Sequence, residues 1–155
     1  MNKRHVLDLD TYSKIDIEVL LKNTVGMKDL LRRDMKKIAS LNGKTVVNIF
    51  LEASTRSRVS FERAAKILSA DVINVSGSGS SIEKGESLYN TALTLQAMNA
   101  DIIIVRHPHA GAPYFLSRHL DANVINAGDG SHAHPTQAML DLFTVYENFG
   151  RIENL

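Results

Sequence analysis

Short apolar runs alternate with longer amphipathic segments along most of the chain. Four runs rich in β-branched residues have the length of buried strands, and they cover residues 45–51, 71–75, 101–105 and 123–125. Segments with helical spacing follow them at residues 58–68, 86–98, about 112–120, and 135–149. The alternation has the length of βαβ units. It therefore predicts an α/β domain, a three-layer parallel sheet of about four strands flanked by helices.

A further helical segment precedes the first strand. Residues 14–38 carry apolar side chains at mostly helical spacing, and Gly26 marks a candidate break between two helices. The chain has 155 residues, of which 44% are hydrophobic, so it is long enough to bury a core as one domain over residues 1–155.

Composition excludes several classes of function. Eighteen Lys and Arg residues against 17 Asp and Glu residues give a net charge of +1, which argues against nucleic acid or a membrane surface as a partner. The absence of cysteine excludes disulfides, thiolate metal sites and a cysteine nucleophile. No stretch approaches the about 18 apolar residues of a membrane span, and the start of the chain does not resemble a signal peptide. We therefore expect a soluble, cytoplasmic protein.

Polar segments follow each of the four predicted strands, at residues 52–57, 76–81, 106–108 and 126–134. In parallel sheets, ligands bind beyond the carboxyl ends of the strands. The pattern therefore predicts that all four polar segments lie at one edge of the sheet.

The segment after the first strand is dense in hydroxyl and guanidinium groups: Ser54, Thr55, Arg56, Ser57 and Arg58. A helix that begins there would present unpaired backbone N–H groups and a partial positive charge, which together favour a phosphate group. The alternative is an ordinary helix cap whose arginines pair with Glu52 or Glu62. The glycine patterns of Walker and dinucleotide-binding loops do not occur in this stretch.

Two further segments offer cations. Residues 77–86 form a glycine-rich stretch with Lys84, which predicts either a functional loop around an anion or a surface linker. Arg106 directly follows a predicted strand. It is a candidate ligand for an anion or for a developing oxyanion, and the alternative is a salt bridge to Glu52.

The segment NAGDGSHAHPTQ, residues 126–137, precedes the last predicted helix. Pro135 suits the first turn of that helix, which places His134, Thr136 and Gln137 at its N-terminus as candidate donors to a carbonyl oxygen. One alternative is a metal site, in which Asp129 or His107 completes a pair formed by His132 and His134. The other alternative is a helix-capping loop with surface histidines.

Taken together, the four segments offer hydrogen-bond donors rather than a covalent nucleophile. They predict a site that binds an anionic acyl or phosphoryl compound and stabilises an oxyanion. The motifs FLEASTRSR, SSIEKGESLYNTALTL, RHPHAGAP and NAGDGSHAHPTQAMLDLFT occur in this order. With them, residues 5–155 resemble the amino-terminal, carbamoyl-phosphate-binding domain of aspartate carbamoyltransferases.

The resemblance is closer to the aspartate enzymes than to the ornithine enzymes at three short motifs. These are KGES at 84–87, RHP at 106–108 and NAGDG at 126–130. The family's phosphate motif is Ser-Thr-Arg-Thr-Arg, and Ser57 stands here in place of its second threonine. A serine keeps the hydroxyl group of that position.

The resemblance implies roles for individual residues. Ser54, Thr55, Arg56 and Ser57 would cradle the phosphate of carbamoyl phosphate. Ser57, Arg106 and His134 would donate to its carbonyl oxygen, Arg106 also reaching the phosphate. Gln137 would orient the carbamoyl amine, and Glu52 would hold Arg106. Ser80 and the catalytic Lys84 would belong to a loop at residues 77–86 that enters the active site of a neighbouring subunit in a homotrimer.

The implied reaction needs no cofactor and no metal. The α-amine of aspartate attacks the carbonyl carbon, and phosphate leaves as N-carbamoyl-aspartate forms, a step of pyrimidine biosynthesis. The family's second, aspartate-binding domain is absent from this sequence, so we expect the 155 residues to bind phosphate or carbamoyl phosphate and to be inactive alone.

Three alternatives stay open. They are a non-catalytic anion-binding or assembly module, an ornithine-type carbamoyltransferase domain, and a metal-dependent hydrolase built on His132 and His134. The sequence also leaves open whether a regulatory chain or a dihydroorotase associates with the protein.

Overall fold

The computed structural model describes residues 4–77 and 85–153, which form four strands and five helices. The strands are β1 Thr45–Phe50, β2 Asp71–Ser76, β3 Ile102–His107 and β4 Asn123–Asp129. The helices are α1 Lys14–Leu31, α2 Thr55–Ile67, α3 Leu88–Ala97, α4 Ala112–His119 and α5 Pro135–Phe149. All strand pairs are parallel and the order across the sheet is β2-β1-β3-β4, which confirms the predicted α/β fold.

Hydrophobic cores lie on both faces of the sheet because alternate residues of each strand point to opposite sides. On one face, Val47 and Ile49 of β1 pack with Ala92 of α3 and Leu116 of α4. On the other face, a second cluster joins β1 to α2 and β4, and its buried members are Val46, Phe50, Ala65, Ile104 and Ala127. The sheet is therefore the middle of three layers, as the sequence predicts.

The strand order places a topological switch between β1 and β3. The chain leaves β1 toward β2 on one side and returns to add β3 on the other side of β1. Such a reversal opens a crevice at the carboxyl ends of the two strands, where Phe50 of β1 is in register with Arg106 of β3. The two polar segments that follow β1 and β3 therefore lie next to each other.

The predicted break at Gly26 is wrong, because α1 continues through this residue and ends at Leu31. A glycine inside a helix costs about 1 kcal/mol relative to alanine. That cost is offset by burial of Leu21 and Leu30 and by a capping box in which Ser13 and Asp16 bond each other's backbone N–H groups.

Helix α1 ends at Leu31 rather than at residue 38, and three boundaries next to the crevice also differ from the structure. Helix α2 begins at Thr55 rather than at residue 58, so the polar motif itself forms the first turn. Strand β3 includes Arg106 and His107, and β4 continues past residue 125 to Asp129. The extensions carry polar side chains into regular structure, where Asn126 and Asp129 are fully buried and hydrogen-bonded.

Residues that precede α1 cover the outer edge of β4. Val6 forms a parallel bridge with Ile125, donates its backbone N–H to the carbonyl oxygen of Val124 at 2.9 Å, and accepts from Asn126 at 2.8 Å. In residues 4–77 and 85–153, no helix has both the length and the hydropathy needed to cross a membrane.

Candidate anion-binding site

A cavity of about 710 Å³ opens between the N-termini of α2 and α5. Seven of the residues singled out in the sequence line it: Ser54, Arg56, Ser57, Arg106, His134, Thr136 and Gln137. The remaining lining residues are Ser60, Phe61, Ala64 and Leu140. The structure thus brings together segments that are up to 83 residues apart (from 54 to 137) in the sequence.

Two predicted residues lie beside this cavity rather than in its lining. Glu52 and Thr55 line a smaller cavity of about 370 Å³ that also includes Ser54. The exposed side chain of Thr55 is therefore on the β2 side of the helix start. Ser80 and Lys84 lie outside the described residues, so their roles stay predictions.

The N-terminus of α2 differs from those of two other helices that begin after a serine. Ser13 and Ser87 accept a hydrogen bond from the backbone N–H three residues later, whereas Ser54 caps α2 without such a bond to any described residue. The first N–H groups of a helix have no intrahelical acceptor. The Ser54 hydroxyl and the first turn of α2 are therefore placed to donate to a ligand.

Arg106 is held from two sides. Its Nη2 donates to Oε1 of Glu52 at 2.7 Å, and its Nη1 donates to the carbonyl oxygen of Ala127 at 3.0 Å. The side chain is only 18% exposed, and its Nε is buried with no hydrogen-bond partner among the described residues. The predicted contact with Glu52 is therefore present. A guanidinium carries five N–H donors, so these two bonds leave further donors for a ligand.

His134 is the N-cap residue of α5, and its Nδ1 accepts from the backbone N–H of Gln137 at 3.4 Å. Because Nδ1 accepts, the neutral ring carries its hydrogen on Nε2. Burial lowers the pKa of His134 below its ordinary value of 6.5, and the nearby Arg106 cation lowers it further. At pH 7 the ring is therefore a neutral N–H donor at the cavity.

Gln137 lies one turn into α5, and its side-chain amide is oriented by a neighbour on the same helix. Nε2 donates to Oδ1 of Asp141 at 3.0 Å. The other end of the amide, Oε1, is an acceptor. This orientation suits a ligand that presents an N–H group to the cavity.

The glycines of residues 126–130 make contacts that the sequence pattern does not reveal. Gly128 has a φ of +116°, and a Cβ atom at this position would lie 2.7 Å from Nη1 of Arg106 and 3.4 Å from Cδ2 of His134. Gly130 has a φ of +63°, and a Cβ there would clash with the carbonyl oxygen of Pro108. Both positions therefore need glycine, for backbone conformation and for space.

Asn126 and Asp129 are also missed as supports of the site. The Oδ1 of Asn126 accepts from the backbone N–H of Gly128 at 2.8 Å, and its Nδ2 donates to Leu7 and to Oδ1 of Asp129, both at 2.9 Å. Burial alone would raise the pKa of Asp129. Hydrogen bonds donated to its carboxylate hold that pKa below 3.8 instead, and the donors belong to Gly111, Asn126, Ala133 and His132.

The histidines of the metal interpretation are engaged in other contacts. Nδ1 of His132 lies 3.0 Å from Oδ2 of Asp129, while Nδ1 of His134 caps α5. Within residues 4–77 and 85–153, no group of three or more His, Cys, Asp and Glu side chains is arranged to hold a metal ion.

Comparison with known proteins gives consistent results for sequence and structure. The family model described as aspartate/ornithine carbamoyltransferase, carbamoyl-P binding domain, matches residues 4–147. The aspartate carbamoyltransferase catalytic subunit of Roseiflexus castenholzii is 56% identical over 153 residues, which are 99% of this chain and 48% of that protein.

Two solved structures are similar over nearly the whole chain. The catalytic subunit of M. jannaschii aspartate transcarbamoylase matches with a TM-score of 0.87 and 39% identity, covering 96% of this chain and 48% of that chain. Aspartate transcarbamoylase from Trypanosoma cruzi in complex with carbamoyl phosphate matches with a TM-score of 0.88 and 31% identity, covering 95% and 47%.

These matches confirm the resemblance seen in the motifs. The chain spans about half the length of the curated relatives it matches. Because the family model covers residues 4–147 of 155, this chain belongs to the aspartate/ornithine carbamoyltransferase family and represents its carbamoyl-phosphate-binding domain.

Proposed function

We propose that the cavity binds carbamoyl phosphate, with the phosphate at the N-terminus of α2 and the carbamoyl group near α5. The observation that carries this proposal is the composition of the cavity wall. Eight hydrogen-bond-capable side chains from the first turns of two helices and from one strand end converge there, and none of the described lining residues is Asp or Glu. Such a wall favours a dianion over a cation or a neutral ligand.

The phosphate end rests on the first turn of α2. Ser54, Arg56 and Ser57 line the cavity there, and the partial positive charge of the helix N-terminus adds to their donors. The Ser54 hydroxyl makes no capping bond to the described part of the chain, so a phosphate oxygen would supply the partner that it lacks. Thr55 and its backbone N–H belong to the same turn.

The carbonyl end lies between Arg106 and His134, with Ser57 as a third donor. The fixed guanidinium and the neutral imidazole offer N–H groups without having to reorganise, which is what stabilisation of a developing oxyanion requires. Removal of one such donor costs about 3–4 kcal/mol of barrier in comparable sites. Oε1 of Gln137 would accept from the carbamoyl amine.

The full reaction needs an acceptor, and we propose L-aspartate. Its uncharged α-amine attacks the carbonyl carbon and a tetrahedral oxyanion forms. The amine nitrogen then loses a proton to the departing phosphate as the C–O bond breaks, which gives N-carbamoyl-L-aspartate and hydrogen phosphate. The similar proteins named above are aspartate rather than ornithine enzymes, and a T. cruzi relative has been solved with aspartate and phosphate bound. The 155 residues would supply the carbamoyl-phosphate half of such an enzyme, in the cytoplasm.

We further propose that the working enzyme is a homotrimer in which Ser80 and Lys84 enter the site of a neighbouring subunit. The support is the resemblance of residues 77–86 to the family motif. In this arrangement a second chain would add a mobile ammonium group to the phosphate end.

Binding of two stable analogues tests the proposal. Phosphonoacetamide has both a phosphonate and an amide carbonyl, whereas methylphosphonate has the phosphonate alone. We expect the 155-residue chain to bind both by calorimetry and to prefer phosphonoacetamide. His134→Ala should abolish that preference while changing methylphosphonate affinity by less than about twofold. Failure of the wild-type chain to bind either compound would refute the proposed site.

A second experiment separates an enzyme half from a non-catalytic anion-binding module. The remaining half of a relative is expressed separately and mixed with this chain, and carbamoyl-aspartate is measured with carbamoyl phosphate and aspartate present. We expect turnover in the mixture and none from this chain alone. His134→Ala should lower the turnover of the mixture far more than its phosphate affinity.

A further inference from the structure

The loop between β4 and α5, residues 130–134, ends at the candidate oxyanion donor His134. Hydrogen bonds between Asp129 and Ala133 join the two ends of this loop. Asp129 donates its backbone N–H to the carbonyl oxygen of Ala133 at 3.2 Å. The Oδ1 of Asp129 in turn accepts from the backbone N–H of Ala133 at 3.0 Å. The residue directly before His134 is therefore bound through both of its polar backbone groups.

The other carboxylate oxygen of Asp129 contacts two further residues, one at the start of α4 and one in the loop. Its Oδ2 accepts from the backbone N–H of Gly111, the N-cap residue of α4, at 2.8 Å, and lies 3.0 Å from Nδ1 of His132. Oδ1 also accepts from Nδ2 of Asn126 at 2.9 Å. One fully buried carboxylate thus joins β4, α4 and the loop.

Ala127 and Gly128, the two residues before Asp129, contact side chains that line the cavity. The Cα of Gly128, one residue before Asp129, faces Arg106 and His134 so closely that an added Cβ would meet both side chains. The carbonyl oxygen of Ala127 accepts from Arg106 at 3.0 Å. A shift at residue 129 would therefore reach His134 through residues 130–134, while Arg106 keeps its 2.7 Å bond to Glu52. The donors to the Asp129 carboxylate come from residues 111–133, outside the first turn of α2.

We propose that Asp129 is a positioning residue, whose carboxylate fixes residues 130–134 and so aims His134 at the carbamoyl end of the ligand. This inference rests on the proposed function and adds a division of labour to it. The phosphate cradle depends on α2, and the preference for a carbonyl group depends on Asp129 through His134.

The test variant is Asp129→Asn, which keeps the shape of the side chain. The asparagine side chain has one oxygen where the carboxylate has two. Its NH₂ group must therefore face the backbone N–H of either Ala133 or Gly111, and that N–H then has no acceptor. The charge that holds the remaining donors is also lost. We expect affinity for methylphosphonate to stay within about twofold and the preference for phosphonoacetamide to fall at least about fivefold.

Asp101→Asn is the matched control. Asp101 also accepts a backbone N–H, from Thr45 at 2.9 Å, and it lies directly before β3, at the amino ends of the strands and away from the cavity. Loss of one carboxylate oxygen and of the charge that pairs with Lys44 should lower the unfolding midpoint and leave the ligand preference unchanged. An equal loss of preference in both variants, or an unchanged preference in folded Asp129→Asn, would overturn the proposal.

A readout without ligand keeps the inference separate from the proposed function. In the free wild-type chain, ¹⁵N shifts of the His134 ring should show an unprotonated Nδ1 and a protonated Nε2. In Asp129→Asn the two shifts should move toward each other as the cap at Gln137 loosens, and in Asp101→Asn they should not. Unchanged shifts in Asp129→Asn would count against the proposal even if the chain bound neither analogue.

His132→Ala decides the case if Asp129→Asn does not fold. The side chain of His132 is 45% exposed, so its removal should be tolerated, and it takes away one donor to Asp129. We expect a smaller loss of preference, about twofold, with His134 shifts moved in the same direction. A preference and shifts equal to those of the wild type would overturn the proposal.

Discussion

The two helix starts that meet at the cavity are capped in different ways. At α2, Ser54 makes no capping hydrogen bond to any described residue, and the first turn is left to a ligand. At α5, His134 accepts from the backbone N–H of Gln137, so the cap is filled by the protein itself. Under the proposed function, this difference corresponds to two tasks. The open cap would provide adaptable affinity for an anion, while the filled cap would provide a donor of fixed direction.

The open cap has a cost that the ordinary caps of the same chain reveal. Ser13 and Ser87 each accept from the third residue of their helix, an arrangement that contributes about 1 kcal/mol. Helix α2 lacks this contribution. A capping bond at this position would occupy a backbone N–H group that the proposed phosphate needs as a donor. The first turn of α2 thus lacks a stabilising bond at the position where the proposed phosphate would bind.

Replacement of Arg106 should have the largest effect on ligand binding, because this side chain lies between the two helix starts. Arg106→Ala removes a charged donor and leaves the carboxylate of Glu52 unpaired beside the anion. Hydrogen bonds to charged groups contribute about 1.5–3 kcal/mol. We expect both analogues to bind about 100-fold more weakly by calorimetry. Arg118→Ala, at an exposed position of α4, is the control, and a similar loss there would reveal a non-specific charge effect.

Gly128→Ala should have the next largest effect, through strain and a clash at once. A methyl group would lie 2.7 Å from Nη1 of Arg106, and φ is +116°. We expect about 1–3 kcal/mol of destabilisation by urea unfolding and about tenfold weaker binding of both analogues. Gly150→Ala also sits at positive φ, but no described atom lies within 4 Å of its added Cβ. That control should lose stability alone, and loss of binding in it would contradict the interpretation.

The open and filled caps are compared directly by two serine substitutions. Ser13→Ala should lower the free energy of unfolding by about 1 kcal/mol, because its capping bond is lost, and leave anion binding unchanged. Ser54→Ala should do the reverse, with little change in unfolding and about threefold weaker binding of methylphosphonate. Equal destabilisation by the two substitutions would show that Ser54 is an ordinary cap in solution.

The smallest expected effect is a dependence of stability on pH through His134, the residue that caps α5. Burial and then Arg106 lower the pKa of His134 in the folded chain below 6.5, its ordinary value. The unfolded chain therefore binds the proton more readily, so the contribution of neutral His134 to stability is present above pH 6.5. This contribution is lost as the pH falls through the folded pKa. An NMR titration of the ring should give a pKa below 6.5, and a value above 7 would contradict a neutral donor because the ring would then be mostly protonated at pH 7.

Sequence patterns predict the elements best where the ends are marked by residues with fixed geometry. Helix α5 runs from Pro135 to Phe149 as expected, because proline fits the first turn and Gly150 closes the helix with a left-handed φ of +67°. The start of α2 is missed by three residues, since serine, threonine and arginine there are equally typical of a loop.

The candidate site is predictable as a set of donors but not as a scaffold. Ser54, Arg106 and His134 stand at strand or helix ends, and the rule for parallel sheets brings them together. The buried pair Asn126 and Asp129 follows no such rule. Polar side chains at the end of β4 look like a loop until their hydrogen-bond partners, which come from three separate segments, are known.

The pairing of residues 4–8 with β4 affects the order in which the domain can be completed during synthesis. His5 and Leu7 bond to Val124 and Asn126, residues 119 positions later in the chain. The strand that ends at the candidate site is thus finished by a segment that leaves the ribosome long before it. A polypeptide fused ahead of residue 4 would consequently leave the domain near Asp121, at the amino end of β4 and away from the loop that carries His134.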